Sequence, residues 1–299
     1  MEDETIAQDP CGLACIRKLP ARIRVTNEGA EEVDESVAVE AAVKIVYNNE
    51  FYVSTSMSPR EFNDYVVGSA FALGLIDCYE DIVSIDVSLD ANPIEVHVAV
   101  REGLDLKTRS QTQSSTSGFK VVTGIEGSSS SGASSLSAPS ASSAPSSAKH
   151  TEDLEQPLHT PRQLLKPQAI WKISESLLTL QGMHQITGAT HAASFVDFDG
   201  AVCFIREDVG RHSAVDKLIG ALLTNKVSPD EGFVFLSSRC ALELVEKLLR
   251  YGIKIIATIS APTSAVIDLA IEKDITICAF ARGKRFTIYT HPERLLLPK

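Results

Sequence analysis

The sequence has no apolar run long enough to cross a bilayer as a helix, which takes about 20 residues. It also lacks a basic region followed by a greasy one at its start. MEDETIAQDP is acidic, so no secretory leader is expected. Positive charge is scarce: 28 Lys and Arg stand against 39 Asp and Glu, a formal net charge of −11. That balance argues against nucleic-acid and membrane partners and leaves room only for a local basic patch. Cysteine is sparse, with Cys11, Cys15, Cys78, Cys203, Cys240 and Cys278 scattered and several inside apolar runs. Too few for a disulfide framework, they fit a reduced, cytoplasmic setting. No G-x-G-x-x-G follows a strand and no G-x-x-x-x-G-K-[ST] occurs, which excludes the common dinucleotide and P-loop sites. There is no C-x-x-C, nor H-x-E with a paired P-C-x-x-C, so zinc deaminase chemistry has no ligands and no metal is expected. His184 and His191 in GMHQITGATH read more readily as polar loop residues than as a metal pair.

What is present divides the 299 residues into two α/β regions. Residues 1–20 read as a flexible N-terminus, residues 21–108 as an α+β domain, residues 109–160 as a loop and linker, and residues 161–299 as a layered α/β domain. In the first domain VAVEAAVKIVYNNEFYVST alternates apolar residues around Asn48-Asn49, a hairpin pattern. SPREFNDYVVGSAFALGLI follows as a helix, with Ser58 placed as N-cap, Pro59 at the first helical position and Glu61 completing a capping box. Phe62, Tyr65, Val66, Ser69, Ala70 and Leu73 share its inner face. IVSIDVSL and IEVHVAV are strands around Asn92-Pro93. Residues 128–147, SSSSGASSLSAPSASSAPSS, cannot bury enough surface to offset ordering entropy and read as disordered linker.

The second domain opens with a helix, AIWKISESLLTLQGM. A hairpin of AASFVDF and AVCFIRE follows around Asp199-Gly200, and then a helix with Val215, Leu218, Ile219 and Leu222 on one face. Strands FVFLSS, KIIATIS and ITICAF alternate with helices ALELVEKLLRYG and SAVIDLAIEK, and FTIYT is the last strand. Strand–helix alternation implies parallel pairing. The near-continuous apolar runs imply strands covered on both faces.

In such a sheet ligands sit off the carboxyl ends of strands. There the sequence places Glu207-Asp208-Val209-Gly210-Arg211-His212, Arg239, Thr263 before a helix, and Ala281-Arg282-Gly283-Lys284-Arg285. Arginines from separate loops, with free N–H groups at helix starts, point to an anion site for a phosphorylated ligand. Gly283 lets backbone approach that ligand. Each element also has a plainer reading. Arg-Gly-Lys-Arg serves equally as a solvated turn, Thr263 as an N-cap, Asp208 with Arg211 as a helix cap, and His212 as a structural histidine.

Six segments together resemble the FdhD family of sulfur carriers in formate dehydrogenase maturation. They are THAASF with EDVGRHSAVDK, SSRCALELVEK, SAPTSAVIDLA, FARGKRFTIYTHPERL, VYNNEFYVST and SPREFNDYVVGSAFALGLI. The resemblance implies a second domain of cytidine-deaminase-like α-β-α layering without that fold's zinc motif, and a homodimer. It implies that sulfur from a cysteine desulfurase passes as a persulfide to the bis-guanylyl molybdenum (or tungsten) cofactor, which formate dehydrogenase then receives. The family's cofactor-binding segment falls on Phe280, Ala281, Arg282, Gly283, Lys284 and Arg285. Asp208, Gly210, Arg211, His212, Arg239 and Thr263 are the further candidates for lining that site.

The family's Cys-x-x-Cys loop has no counterpart. Its window reads RSQTQSSTSGFKVVTGIEG, and no cysteine lies between Cys78 and Cys203. Serine cannot form a persulfide. Three explanations remain open at this point. Cys11 or Cys15 on a flexible tail, or Cys240 beside Arg239 at a helix start, carries the sulfur. Alternatively the protein chaperones the cofactor without sulfur chemistry, or a partner subunit supplies the thiol. Cys240 also reads as a small buried core residue.

Overall fold

A computed structural model describes residues 15–49, 51–104, 120–123 and 163–297. The first two strands, β1 (Ile16–Thr26) and β2 (Gly29–Ala38), pair antiparallel as a ribbon. This corrects the expectation of a flexible segment reaching residue 20. Ile16 pairs with Ala38, Leu19 pairs with Glu35, and Cys15 and Ile16 are buried.

A five-stranded sheet comes next, in the order β5-β6-β3-β4-β7. β3 (Ala41–Tyr47) and β4 (Phe51–Met57) form the expected hairpin, with Asn48 and Asn49 both at positive φ, a conformation that asparagine tolerates. β5 (Ile82–Ser88) and β6 (Ile94–Val100) flank the Asn92-Pro93 turn. β7 (Lys120–Thr123) pairs with β4, so part of the stretch assigned to loop is strand. The Ser-rich stretch lies outside the described residues. Along β3, Val43, Ile45 and Tyr47 are buried while their neighbours are not, the period-2 signature of a sheet with one covered face.

The cover is α1 (Phe62–Ala72), whose predicted inner-face residues from Phe62 to Ala70 are buried, with Leu73 just past its end. The predicted cap is wrong. The helix starts at Phe62 behind Glu61, which sits in the left-handed region and makes no side-chain cap bond. Ser58 is engaged elsewhere, as described below.

The second region is a six-stranded sheet in the order β13-β12-β11-β10-β8-β9. Its hairpin is β8 (His191–Asp197) with β9 (Val202–Asp208). β10 (Gly232–Leu236), β11 (Ile255–Thr258) and β12 (Thr276–Arg282) are parallel, while β8 runs antiparallel to β10 and β13 (Arg285–Ile288) antiparallel to β12. Every residue of β10 and β11 is buried, as the apolar runs predict. One face is covered by α2 (Pro167–Leu180), which the short helix α3 (Gly182–Thr187) follows. The other face is covered by α4 (Arg211–Thr224), α5 (Leu242–Tyr251) and α6 (Ser264–Glu272). Gly252 ends α5 at φ 103°, a left-handed C-terminal stop. The α-β-α layering is thus present, with a mixed rather than wholly parallel sheet.

The two regions share their core. One hydrophobic cluster runs from Val43 on β3 through Tyr65 and Val66 on α1 and Leu218 on α4 to Ile277 on β12. At the seam α1 and α4 meet backbone to backbone. A Cβ added at Gly68 would lie 1.8 Å from the Asp216 carbonyl oxygen, and one at Gly220 would lie 1.8 Å from that of Asp64.

Candidate functional site at the carboxyl edge of the six-stranded sheet

β9 runs parallel to β10, β11 and β12, because β8 is antiparallel to both β9 and β10. The carboxyl ends of all four strands therefore share one edge. Backbone and side-chain bonds tie that edge together. Ala192 N donates to Ser237 Oγ at 2.7 Å, Cys240 N to Ala261 O at 3.2 Å, and Phe280 N to Ser260 O at 2.9 Å. Arg282 Nε donates to Ile259 O at 3.0 Å, which pins the end of β12 to the loop after β11. A bulge between β12 and β13 puts Phe280 at φ 55° and turns its side chain partly outward, and Gly283 takes the turn at φ 57°.

The edge carries cations without counterions. Arg239, Arg282, Lys284 and Arg285 are exposed and Arg211 is half-buried; none has a carboxylate partner among the described residues. The Arg211 Nε is buried and has no hydrogen-bond partner among the described residues. From Arg282 to Arg211 the edge crosses four strand spacings, roughly 19 Å at about 4.8 Å each. An elongated polyanion matches that span better than a single phosphate does.

The polar corner REDVGRH turns out to be mostly structural. Arg206 Nε reaches Asp64 at 2.7 Å. Glu207 caps α3 by accepting from Met183 N and His184 N at 2.8 and 3.2 Å, and it also accepts from Thr190 Oγ1. Asp208 is fully buried and faces α4 and the loop before α1. It meets Lys217 Nζ at 2.7 Å and accepts from Ser58 N and Gly210 N at 3.0 and 2.8 Å. Ser58 completes the clip: its Oγ accepts from Val209 N and its carbonyl from Lys217 Nζ. Asp208 is therefore corrected from a pocket wall to an internal anchor, since burial and three donors leave it nothing for a ligand. Burial holds its carboxyl above the usual carboxylate range even beside Lys217.

Among the other candidates, Gly210 precedes α4, and Arg211 and His212 begin it. Burial, with Lys247 and Arg211 nearby, pushes His212 down to about 4, so it is neutral at pH 7. Ala281 is buried with its side chain in the α2-side core, so only its backbone can face a ligand. Thr263 is the N-cap of α6, its hydroxyl accepting from Val266 N at 3.4 Å. His184 Nδ1 is bonded to Thr190 O at 2.8 Å. Burial lowers His191, with Arg211 and His184 adding to the shift.

The thiol candidates fare poorly. Cys240 is fully buried, and burial pushes it up to about 12, so it offers no thiolate. Its place beside Arg239 does not activate it, because the side chain is sealed in the hydrophobic core and burial alone sets its shift. Cys15 is 1% exposed rather than on a mobile tail. Cys11 lies outside the described residues. Sequence reasoning missed a cleft beyond β13, lined by Pro167, Trp171, Lys284, Arg285, Phe286 and Leu297 among others. The chain's single tryptophan was the available signal.

The profile of the FdhD/NarQ family matches residues 38–296. This chain belongs to the FdhD/NarQ family. It is 32% identical over 288 residues to the sulfur carrier protein FdhD of Bordetella petrii, covering 96% of both chains. It is 31% identical over 263 residues to that of Bordetella parapertussis, covering 87% of each. The fold matches a crystal structure of a candidate formate dehydrogenase accessory protein from Desulfotalea psychrophila. The TM-score is 0.67 at 22% identity, over 94% of this chain and 98% of that one. The β1–β2 ribbon precedes nearly all of the FdhD/NarQ match, and the cationic edge lies inside it.

Proposed function

We propose that this protein is a formate dehydrogenase maturation factor. In this reading it binds a bis-guanylyl molybdenum or tungsten cofactor along the carboxyl edge and takes part in its sulfuration, with sulfur supplied by a cysteine desulfurase. The observation that carries the reading is the row of uncompensated cations, Arg211, Arg239, Arg282 and Arg285, on one edge of an acidic protein. A ligand with a nucleoside diphosphate at each end fits the length of that row. The buried, unpartnered Nε of Arg211 and the left-handed turn at Gly283 fit phosphate oxygens and close backbone approach. When bound, the cofactor would supply the metal that receives sulfur. Arg282 and Arg285 would hold one phosphate end and Arg211 and Arg239 the other. His212, being neutral, would contribute as a hydrogen-bonding group and not as a charge.

Guanosine diphosphate titrated calorimetrically into the wild type and an Arg282→Ala, Arg285→Ala double variant tests the site. Two charge-assisted contacts worth about 1.5 kcal/mol or more each predict a loss on the order of 100-fold. Equal affinities would remove this segment from the site.

A second reading, a cofactor chaperone or regulator without sulfur chemistry of its own, is favoured by the burial of Cys15 and Cys240. Incubation with a cysteine desulfurase and free cysteine, then alkylation and mass spectrometry, separates the two. The expected result is no persulfide on Cys15, Cys240 or Cys278, whose thiols are buried. A labelled Cys240 would contradict the burial argument. Restoration of formate dehydrogenase activity by a variant lacking all six cysteines would favour the chaperone reading.

A further inference from the structure

We infer that the outer edge of β13 is a docking groove for an extended acidic peptide segment of a partner protein. Three observations meet there, the first two made independently of the cofactor reading and the third sharing Arg285 with it. First, β13 ends the six-stranded sheet, and no strand pairs with its far side among the described residues. Tyr289 N donates to Ile277 O, which makes Tyr289 and, by alternation, Thr287 the residues bonded inward to β12. The N–H and C=O of Ile288, and those of Phe286 two residues earlier, therefore point outward as a template for an added strand.

Second, a cleft of about 520 Å³ flanks that edge. It is built from Pro167 and Trp171 of α2, Phe286 and Ile288 of β13, and Leu297 of the returning C-terminal segment. The Trp171 Nε1 is buried and has no acceptor among the described residues. An indole N–H only donates, so only a carbonyl, carboxylate or hydroxyl oxygen would satisfy it. Third, Lys284 and Arg285 stand on the rim with no counterion among the described residues.

These features select one pattern. Successive side chains of an added strand alternate faces. Phe286 and Ile288 are half-buried against the α2 side, and the exposed Arg285 and Thr287 alternate with them along the border of the cleft. A peptide alternating apolar and acidic residues would place the apolar ones in the cleft and the acids beside Arg285. Pairing with the same strand of a second copy offers no such match, because β13 itself contains no carboxylate to meet Arg285.

The test uses the full-length protein and two labelled hexapeptides, VDLEVD and VKLKVK, followed by fluorescence anisotropy. Trp171 is the only tryptophan, so its emission reports occupancy of the cleft directly. The acidic peptide should bind at least 10-fold more tightly than the basic one and should alone shift the Trp171 emission. Ile288→Pro removes an outward N–H without touching the ladder to β12, and should weaken binding at least 10-fold. If that variant loses its far-UV circular dichroism, Trp171→Phe decides the matter: it keeps the ring and removes the donor, and should also weaken binding. Equal binding of the two peptides, or undiminished binding by the variants, would overturn the proposal. So would dimerisation through this edge that Ile288→Pro abolishes. Guanosine diphosphate shifting the Trp171 emission where the peptide does not would assign the cleft to the nucleotide instead. Loss of guanosine diphosphate binding in an Arg282→Ala single variant that keeps Arg285, with peptide binding retained and still sensitive to Ile288→Pro, keeps the two sites distinguishable.

Discussion

Lys217→Met is expected to destabilise the protein by about 3–5 kcal/mol, the usual penalty for stranding one member of a buried ion pair. Lys217 and Asp208 are both fully buried, 2.7 Å apart, and the same ammonium donates to Ser58 O at 3.2 Å. Methionine nearly matches lysine in volume, so packing changes little and the loss is electrostatic. Asp208 would keep its two backbone donors but lose its countercharge. The size of the effect should depend on pH. Burial already raises the Asp208 pKa, and removal of Lys217 raises it further. A carboxyl whose folded pKa lies above its unfolded value near 3.9 favours the folded state at low pH, and that advantage is lost as pH rises through the interval between the two. The deficit of Lys217→Met should therefore be largest at pH 7 and shrink toward pH 5. Urea midpoints at both pH values, with unchanged slope, would check this. Asp208→Asn combined with Lys217→Met should recover most of the loss, because neither charge is then left buried. A deficit that does not vary with pH, and no recovery in the double variant, would mean the pair contributes only packing.

Gly220→Ala is the second large effect. In an ordinary helix interior this change stabilises by about 1 kcal/mol. Here the new Cβ would sit 1.8 Å from the Asp64 carbonyl oxygen, backbone that no rotamer change can move. α1 and α4 must separate, which costs about 1–3 kcal/mol or more in overpacking and strains the Ser58–Asp208–Lys217 clip and the Arg206–Asp64 pair. Destabilisation should win. Gly182→Ala serves as control, since nothing lies within 4 Å of a Cβ there. Because α4 carries Arg211 and His212 at its start, Gly220→Ala should also weaken guanosine diphosphate binding at temperatures where the protein stays folded. Thermal unfolding in which both alanine variants behave alike would show that the helices do not meet as closely as described.

The strands and helices were legible because their signals are local. Asn48-Asn49 and Asp199-Gly200 mark turns, and alternation marks half-covered strands. The 3.6 period places Val215, Leu218, Ile219 and Leu222 on one face. The position of the cationic loops at one sheet edge followed from strand–helix alternation and from the family resemblance. Ser58 was misread because Ser-Pro-x-Glu is a genuine capping pattern. Its three polar groups are claimed instead by Asp208, Val209 and Lys217, some 150 residues away. The same long-range pairing removed Asp208 from the ligand-facing set. Cys240 and Cys15 looked available in sequence, where burial is invisible.

By itself, the sequence determined the family, the α/β layering, the loops that carry positive charge and the absence of a Cys-x-x-Cys loop. These depend on residue type and spacing along the chain. Only the tertiary structure decided which acids are anchors, which thiols are sealed from solvent, that α1 and α4 touch through Gly68 and Gly220, and that β13 leaves an edge open beside Trp171. Each of these depends on which distant segment lies within a few ångströms, and desolvation and close contact act through space rather than along the chain.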